Sequence, residues 1–306
     1  MKKTDSCRYF ATWDTTSTVR SRPNRYLFTD TEFSETTPER WFPKALIPLA
    51  NQAGMEILPE AALLRIHIGH LVHFLDYTTE LEISYVNRAI CCITQGALSQ
   101  HFSSQERFCA LKLYADEGYH ALFSRELSDQ VTNRFSLPRM RSARLHHLDR
   151  SRATQRHKHQ ELAAFIIAFV SETIITRELS WLSHGDLLPP ILHMFQDHLI
   201  DESRHSIFFS DLFVTLWGGL SNSQKDFMVT CLIKTILIFS RPNIHFIRLI
   251  ADTHLTVIEN AIKTLQNNWL DRISDSTALT MRAIKRTDLF KNHTYINAFR
   301  ENGLPT

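Results

Sequence analysis

Three side chains able to bind a metal share one face of a short stretch, His198-Leu199-Ile200-Asp201-Glu202-Ser203-Arg204-His205. Read as a helix, it sets His198, Glu202 and His205 at about 0°, 40° and −20° around the axis, on one narrow stripe. A shorter copy, Asp116-Glu117-Gly118-Tyr119-His120, repeats the Glu-x-x-His spacing, again with an Asp just before the Glu. Imidazole nitrogens mixed with carboxylate oxygens suit iron or manganese better than thiolate-preferring metals. Two Glu-x-x-His helices, completed by a Glu from each of two further helices, make a carboxylate-bridged dinuclear centre in a four-helix bundle.

The two further acids can be chosen by the faces they occupy. Glu82 shares its helical face with Leu75, Val86, Ala89 and Ile93, whereas Glu80 shares one with Asp76, Ser84 and Asn87, so Glu82 points inward. Glu172 lies in the run Leu162 to Ile175, which is apolar all round, while Glu178 lies on another face and is expected to reach solvent. An inward carboxylate is costly unless it is protonated, paired or bound to a metal. Counting from the turns near 101 and 186, Glu82 and Glu117 lie about 19 and 16 residues away, and Glu172 and Glu202 about 14 and 16, so all four acids fall at one level. Four carboxylates and three neutral imidazoles around two divalent ions give a neutral site, which can be buried without an uncompensated charge. Asp116 and Asp201 are candidates to accept the outward N–H of the ligand imidazoles, each reaching a His across the bundle.

The elements that must position these residues are helical. The 306-residue chain is 43% hydrophobic and 22% charged with only eight glycines and ten prolines, and its apolar runs are uninterrupted by turn signals. The fold class is all-α, a ferritin-like four-helix bundle core with additional C-terminal helices. Residues 1–37 read as an irregular N-terminal arm that says little about function, and 38–306 as a single helical domain. Helices are expected from Pro59 to about residue 100, from Gln105 to about 130, over about 157–183, and from Pro189 to Trp217. Residues 131–156, with six arginines, read as a long surface connection. Two helices, 221–239 and 242–268, follow, and a polar tail docks through Trp269, Phe290, Tyr295 and Phe299.

Composition narrows the function classes. A net charge of +2 gives no reason to expect nucleic acid, and the basic connection reads as solvated crossover. Five cysteines without a pairing pattern fit a reducing compartment. The N-terminus lacks the apolar core of a secretory signal, and the apolar runs are short or broken by Glu172 and Lys234, so a cytoplasmic protein without a membrane span is expected.

In chain order the candidate ligands are Glu82, Glu117-x-x-His120, Glu172 and His198-x-x-x-Glu202-x-x-His205. The additional His198 makes seven, and over about residues 60–260 this set resembles the non-haem di-iron N-oxygenases of the p-aminobenzoate N-oxygenase type. The resemblance implies two iron ions, with manganese as the alternative, bridged by Glu117 and Glu202. Glu82 and His120 would complete one ion, and Glu172, His198 and His205 the other. It also implies O2 as co-substrate, an external electron donor (a protein or a small reductant) and oxygen transfer to an amine nitrogen, as from an arylamine towards hydroxylamine, nitroso or nitro products in a biosynthetic pathway. Phe74, Thr78, Phe169 and Phe246 are candidate pocket walls, and Arg177, Arg248 and Arg282 candidate cations for substrate; a homodimer is compatible with the sequence. Three other readings stay open. One is a hydroxylase, desaturase or radical-generating oxidase acting on C–H bonds, with Tyr85, Tyr114 or Tyr119 near the metals; another is a ferritin-like metal-binding protein; the third is a metal-free helical interaction module, against which Glu172 in its apolar helix counts most.

Overall fold

The computed structural model describes residues 6–251 and 254–306, and no β-strand occurs among them. Four long segments form the bundle. The first is α1 (Glu60–Leu81), which runs through a π-helical turn (Glu82–Val86) into α2 (Asn87–Thr94). The others are α3 (Ser104–Phe135), α5 (Gln160–Leu182) and α6 (Pro189–Gly219), with α4 (Ala143–Ala153) crossing between the two hairpins. The α1–α3 and α5–α6 pairs pack most extensively. Local chemistry sets the boundaries. Ser103 and Glu106 close a reciprocal capping box at the start of α3, and Pro189-Pro190 open α6, where a missing N–H leaves no helical bond unmade.

The apolar interior falls into two clusters. On α1 one cluster takes residues up to Leu75 and the other takes Tyr77, Leu81 and Tyr85; α3 divides between Leu113 and Phe123, α5 between Ile174 and Ile175, and α6 between Phe195 and Phe208. On α3 and α6 the gap between the clusters holds Glu117, His120, His198, Glu202 and His205, while Glu82 and Glu172 lie to one side of the break on their own segments, beyond Leu81 and before Ile174.

Several expectations are corrected. Residues 131–156 are not a bare connection: α3 runs on to Phe135 and α4 buries Leu145, Leu148 and Ser151. Its arginines are mostly engaged, Arg139 with Asp76 and Asp129, and Arg141 with Glu80 and Asp149. The 242–268 segment divides into Ile244–Ile250 and Leu255–Asn268. The described part of the arm, residues 6–37, is not simply irregular, for Ser6–Phe10, Trp13–Thr16, Thr18–Ser21 and Asp30–Phe33 are single helical turns, and residues 1–5 lie outside the described residues. Of the expected anchors in the tail, Phe299 is fully buried, meeting Phe290 edge-on, and Tyr295 meets Trp217 edge-on. Asn222–Ile250 is long and apolar enough to cross a membrane by length and composition; half of its most apolar window is buried, and its first helix, Asn222–Ser240, packs on α5.

Candidate metal centre

The seven candidate ligands are all at most 2% exposed. One ligand atom from each of Glu82, His120, His198 and Glu202 fits within a 4.8 Å group, and so does one from each of Glu117, His120, Glu202 and His205. The two groups share His120 and Glu202. His198 Nε2 stands 3.0 Å from Glu82 Oε1 and 3.4 Å from Glu202 Oε1, and His120 Nδ1 is 3.2 Å from Glu202 Oε1. On the other side His205 Nδ1 is 2.7 Å from Glu117 Oε1, 3.1 Å from Glu202 Oε1 and 3.7 Å from Glu172 Oε2. Glu172 thus borders the second group without joining it.

His198 is placed differently from the expectation that grouped it with Glu172 and His205. Seven residues at 1.5 Å each separate His198 from His205 by about 10 Å along α6. Ions of a dinuclear site lie only about 3.5–4 Å apart. The two ends of the stripe would therefore serve different ions, and in this structure His198 stands with Glu82, His120 and Glu202.

The donor set fits metal ions by what it leaves unpaired. Both oxygens of Glu82 and of Glu117, one oxygen each of Glu172 and Glu202, His120 Nδ1 and both nitrogens of His198 are buried without a directed hydrogen bond. Each such group forfeits about 1–3 kcal/mol when nothing replaces its water. Without an ion the site settles this with protons. Burial raises the Glu82 and Glu172 carboxyls, and burial together with the Glu202 charge brings Glu117 up to about 7. Burial would also raise Glu202, but the imidazoles around it, His205 foremost, hold it well below the ordinary carboxylate range. For His120 and His205 burial opposes the charged form, and the carboxylates around each override it and raise both well above the usual imidazole value.

The two aspartates reach across the bundle. His205 Nε2 lies 3.2 Å from Asp116, on α3, and His120 Nε2 lies 3.2 Å from Asp201, on α6. With an ion displacing the second proton, donation from Nε2–H would leave each Nδ1 free to ligate it. Arg204 also pairs with Asp201, at 2.9 Å.

A cavity of ≈ 380 Å³ opens beside the polar layer. Phe74, Tyr77, Arg144, Ile174, Arg177 and Phe246 are among its walls. Tyr77 and Ile174 lie within about a turn and a half of Glu82 and Glu172, and Phe74 packs edge-on against Phe195, one turn before His198. Three expected pocket residues are elsewhere. Phe169 is fully buried and stacks on Phe213, Arg248 pairs with Glu259 at 3.0 Å, and Thr78 is fully buried without lining the cavity. Arg282 borders a separate surface depression. Of the cavity cations, Arg177 pairs with Asp275 at 2.9 Å and stacks on Trp181. Arg144, not singled out from the sequence, lies over the Tyr77 ring. Glu178, expected to reach solvent, also lines this cavity.

Two of the three tyrosines of the radical reading point away, and the third stands one ring from the imidazoles. The Tyr85 hydroxyl donates to Asp149 at 2.7 Å, Tyr114 is 45% exposed, and Tyr119 packs edge-on against Phe123.

Fold and site together define a class: a helical bundle whose core is cut by a buried layer of carboxylates and imidazoles, with an aromatic-walled cavity alongside. Residues 29–288 match the family described as P-aminobenzoate N-oxygenase AurF, and the chain belongs to that family, whose members are oxygenases. A comparison with curated proteins finds no match.

Proposed function

We propose that the chain is a di-iron N-oxygenase that takes an arylamine in the Phe74–Phe246 cavity. The observation that supports this most is the third imidazole: His198, 3.0 Å from Glu82, adds to the two Glu-x-x-His pairs a nitrogen that they do not need to form a dinuclear site. Glu82, His120 and His198 would hold one ion and Glu172 and His205 the other, with Glu117 and Glu202 completing the set. Two ferrous ions held there would supply the two electrons and the open positions that O2 activation needs, and an external donor would restore those electrons after each turnover. One oxygen atom enters an N–H bond of the amine and the other leaves as water, with two protons completing the balance.

The remaining work belongs to the chain's own side chains. Asp116 and Asp201 orient the imidazoles of His205 and His120. Phe123, edge-on to His198 and tilted against His120, and Phe10, parallel to His205, close the layer to water. A cavity of 150 Å³ in an apolar core accepts benzene, so ≈ 380 Å³ between Phe74 and Phe246 accommodates a substituted arene. His70 and His73 line it as neutral imidazoles, since burial lowers them to about 4 and about 3.

The test is a single turnover of the iron-loaded, reduced enzyme with ¹⁸O2 and an aminobenzoate. The proposal expects ¹⁸O on nitrogen, as hydroxylamine or a more oxidised product. Label on ring carbon alone contradicts it and favours the C–H oxidase reading.

A further inference from the structure

A segment outside the family match reaches the metal layer. Residues Phe10 to Thr18 lie across the outer side of the two aspartates, and three of their side chains are buried donors. The Trp13 indole N–H lies 2.9 and 2.8 Å from the two oxygens of Asp116, and the Ser17 hydroxyl donates to the same carboxylate at 2.6 Å. The Thr18 backbone N–H reaches Asp201 at 3.1 Å, and the Thr18 hydroxyl donates to that same oxygen. Ser17 and Thr18 are 0% exposed and Trp13 8%.

The local sequence explains the geometry. Ser17 is extended between two single-turn helices, so its hydroxyl and the next amide point the same way. Thr18 is the first residue of its turn, where the N–H has no intrahelical partner and is free to donate outward. The segment is tied at both ends. Lys112 donates to the Phe10 carbonyl, and Arg204 holds the Thr16 hydroxyl and carbonyl while pairing with Asp201.

We propose that Trp13, Ser17 and Thr18 are positioning residues of the metal centre, fixing the His205 and His120 imidazoles through Asp116 and Asp201. They form two chains of two links each: Trp13 and Ser17 to Asp116 to His205, and Thr18 to Asp201 to His120. A buried carboxylate can accept an imidazole N–H in one direction only if its other lone pairs are already taken, and these donors take them. The two chains are unequal. Asp201 has the Arg204 guanidinium as well, whereas no Lys or Arg of the described residues pairs with Asp116, so its position rests on Trp13, Ser17 and His205 alone. Loss of the segment's donors therefore weighs more on the His205 side.

The inference rests on the metal reading above, and the test separates the two. Full-length, metal-free protein is loaded with Co²⁺, whose absorption bands report ligand geometry, and release to a chelator is timed for wild type, Ser17→Ala, Trp13→Phe with Ser17→Ala, Thr18→Val, Thr18→Ser and Asp14→Ala. Wild type that takes up no cobalt defeats the metal reading itself. Release about tenfold faster or more with shifted bands in the double variant, a smaller change in Thr18→Val, recovery in Thr18→Ser, and no change in Asp14→Ala support the inference. Unchanged bands and release in the donor variants overturn it. So does equal loss in Thr18→Ser and Thr18→Val, which would indicate packing rather than hydrogen bonding. Ser17→Ala, the least disruptive change, reports on the Asp116 link should the double variant not fold.

Discussion

Replacing Glu82 by Leu should reverse sign between the metal-free and metal-loaded protein. Glu82 is 2% exposed, neither of its oxygens makes a directed hydrogen bond, and Leu81, Val86 and Ala89 pack around its turn. An unsatisfied buried polar group costs about 1–3 kcal/mol, so an apolar side chain of similar size relieves about 2 kcal/mol in the metal-free state. At the roughly 2–4 °C per kcal/mol of large domains, Glu82→Leu melts about 4–8 °C above wild type without metal. A bound ion acts oppositely. At a free metal concentration 100 times Kd, wild type gains about 2.7 kcal/mol, which the variant forgoes at the site formed by His120 and His198. Melting curves of both proteins, with chelator and with Mn²⁺ as a redox-stable probe, should therefore cross in order. A variant that melts lower without metal and still gains the full Mn²⁺ shift would refute the reasoning, because Glu82 would then be a satisfied core residue.

Three further outcomes follow from particular side chains. Phe246→Ala is expected to raise KM for an arylamine severalfold with metal content unchanged, while Phe169→Ala, which empties the Phe213 stack, costs about 3–5 kcal/mol of stability with little effect on KM; steady-state kinetics and urea unfolding distinguish them. Burial lowers His70 to about 4 in the folded chain, so the unfolded state binds a proton first as pH falls. Its share of stability is complete above about 6.5 and is lost at about 1.4 kcal/mol per unit between there and 4, a slope that His70→Gln should flatten in pH-dependent unfolding. Tyr114→Phe should retain turnover within about twofold, since that side chain is 45% exposed; a complete loss would bring back the radical reading.

The sequence was most legible where helical periodicity was strong. Glu82 and Glu172 could be selected because three turns of apolar neighbours define a face, and the structure brings both to the level of the two Glu-x-x-His pairs. The ion that each imidazole faces could not be read from angles alone, because His198 and His205 share a stripe but not a height. The single turns at Trp13–Thr16 and Thr18–Ser21 are too short for any period to appear, so Ser17 and Thr18 looked like ordinary polar residues of an arm. Helix α4 was hidden for a related reason: it buries only Leu145, Leu148 and Ser151 beneath a face of arginines and histidines. The π-helical turn at Glu82–Val86 adds a residue to the ladder just where the carboxylate enters the layer, and such turns carry no residue signature.

The central claim is a buried site for two metal ions, and anaerobic titration of the metal-free protein with Fe²⁺ tests it most directly. The account predicts two equivalents bound per chain, falling to one or fewer when Glu172→Ala and His198→Ala are combined. No uptake by wild type, or two equivalents still bound by the double variant, would contradict it.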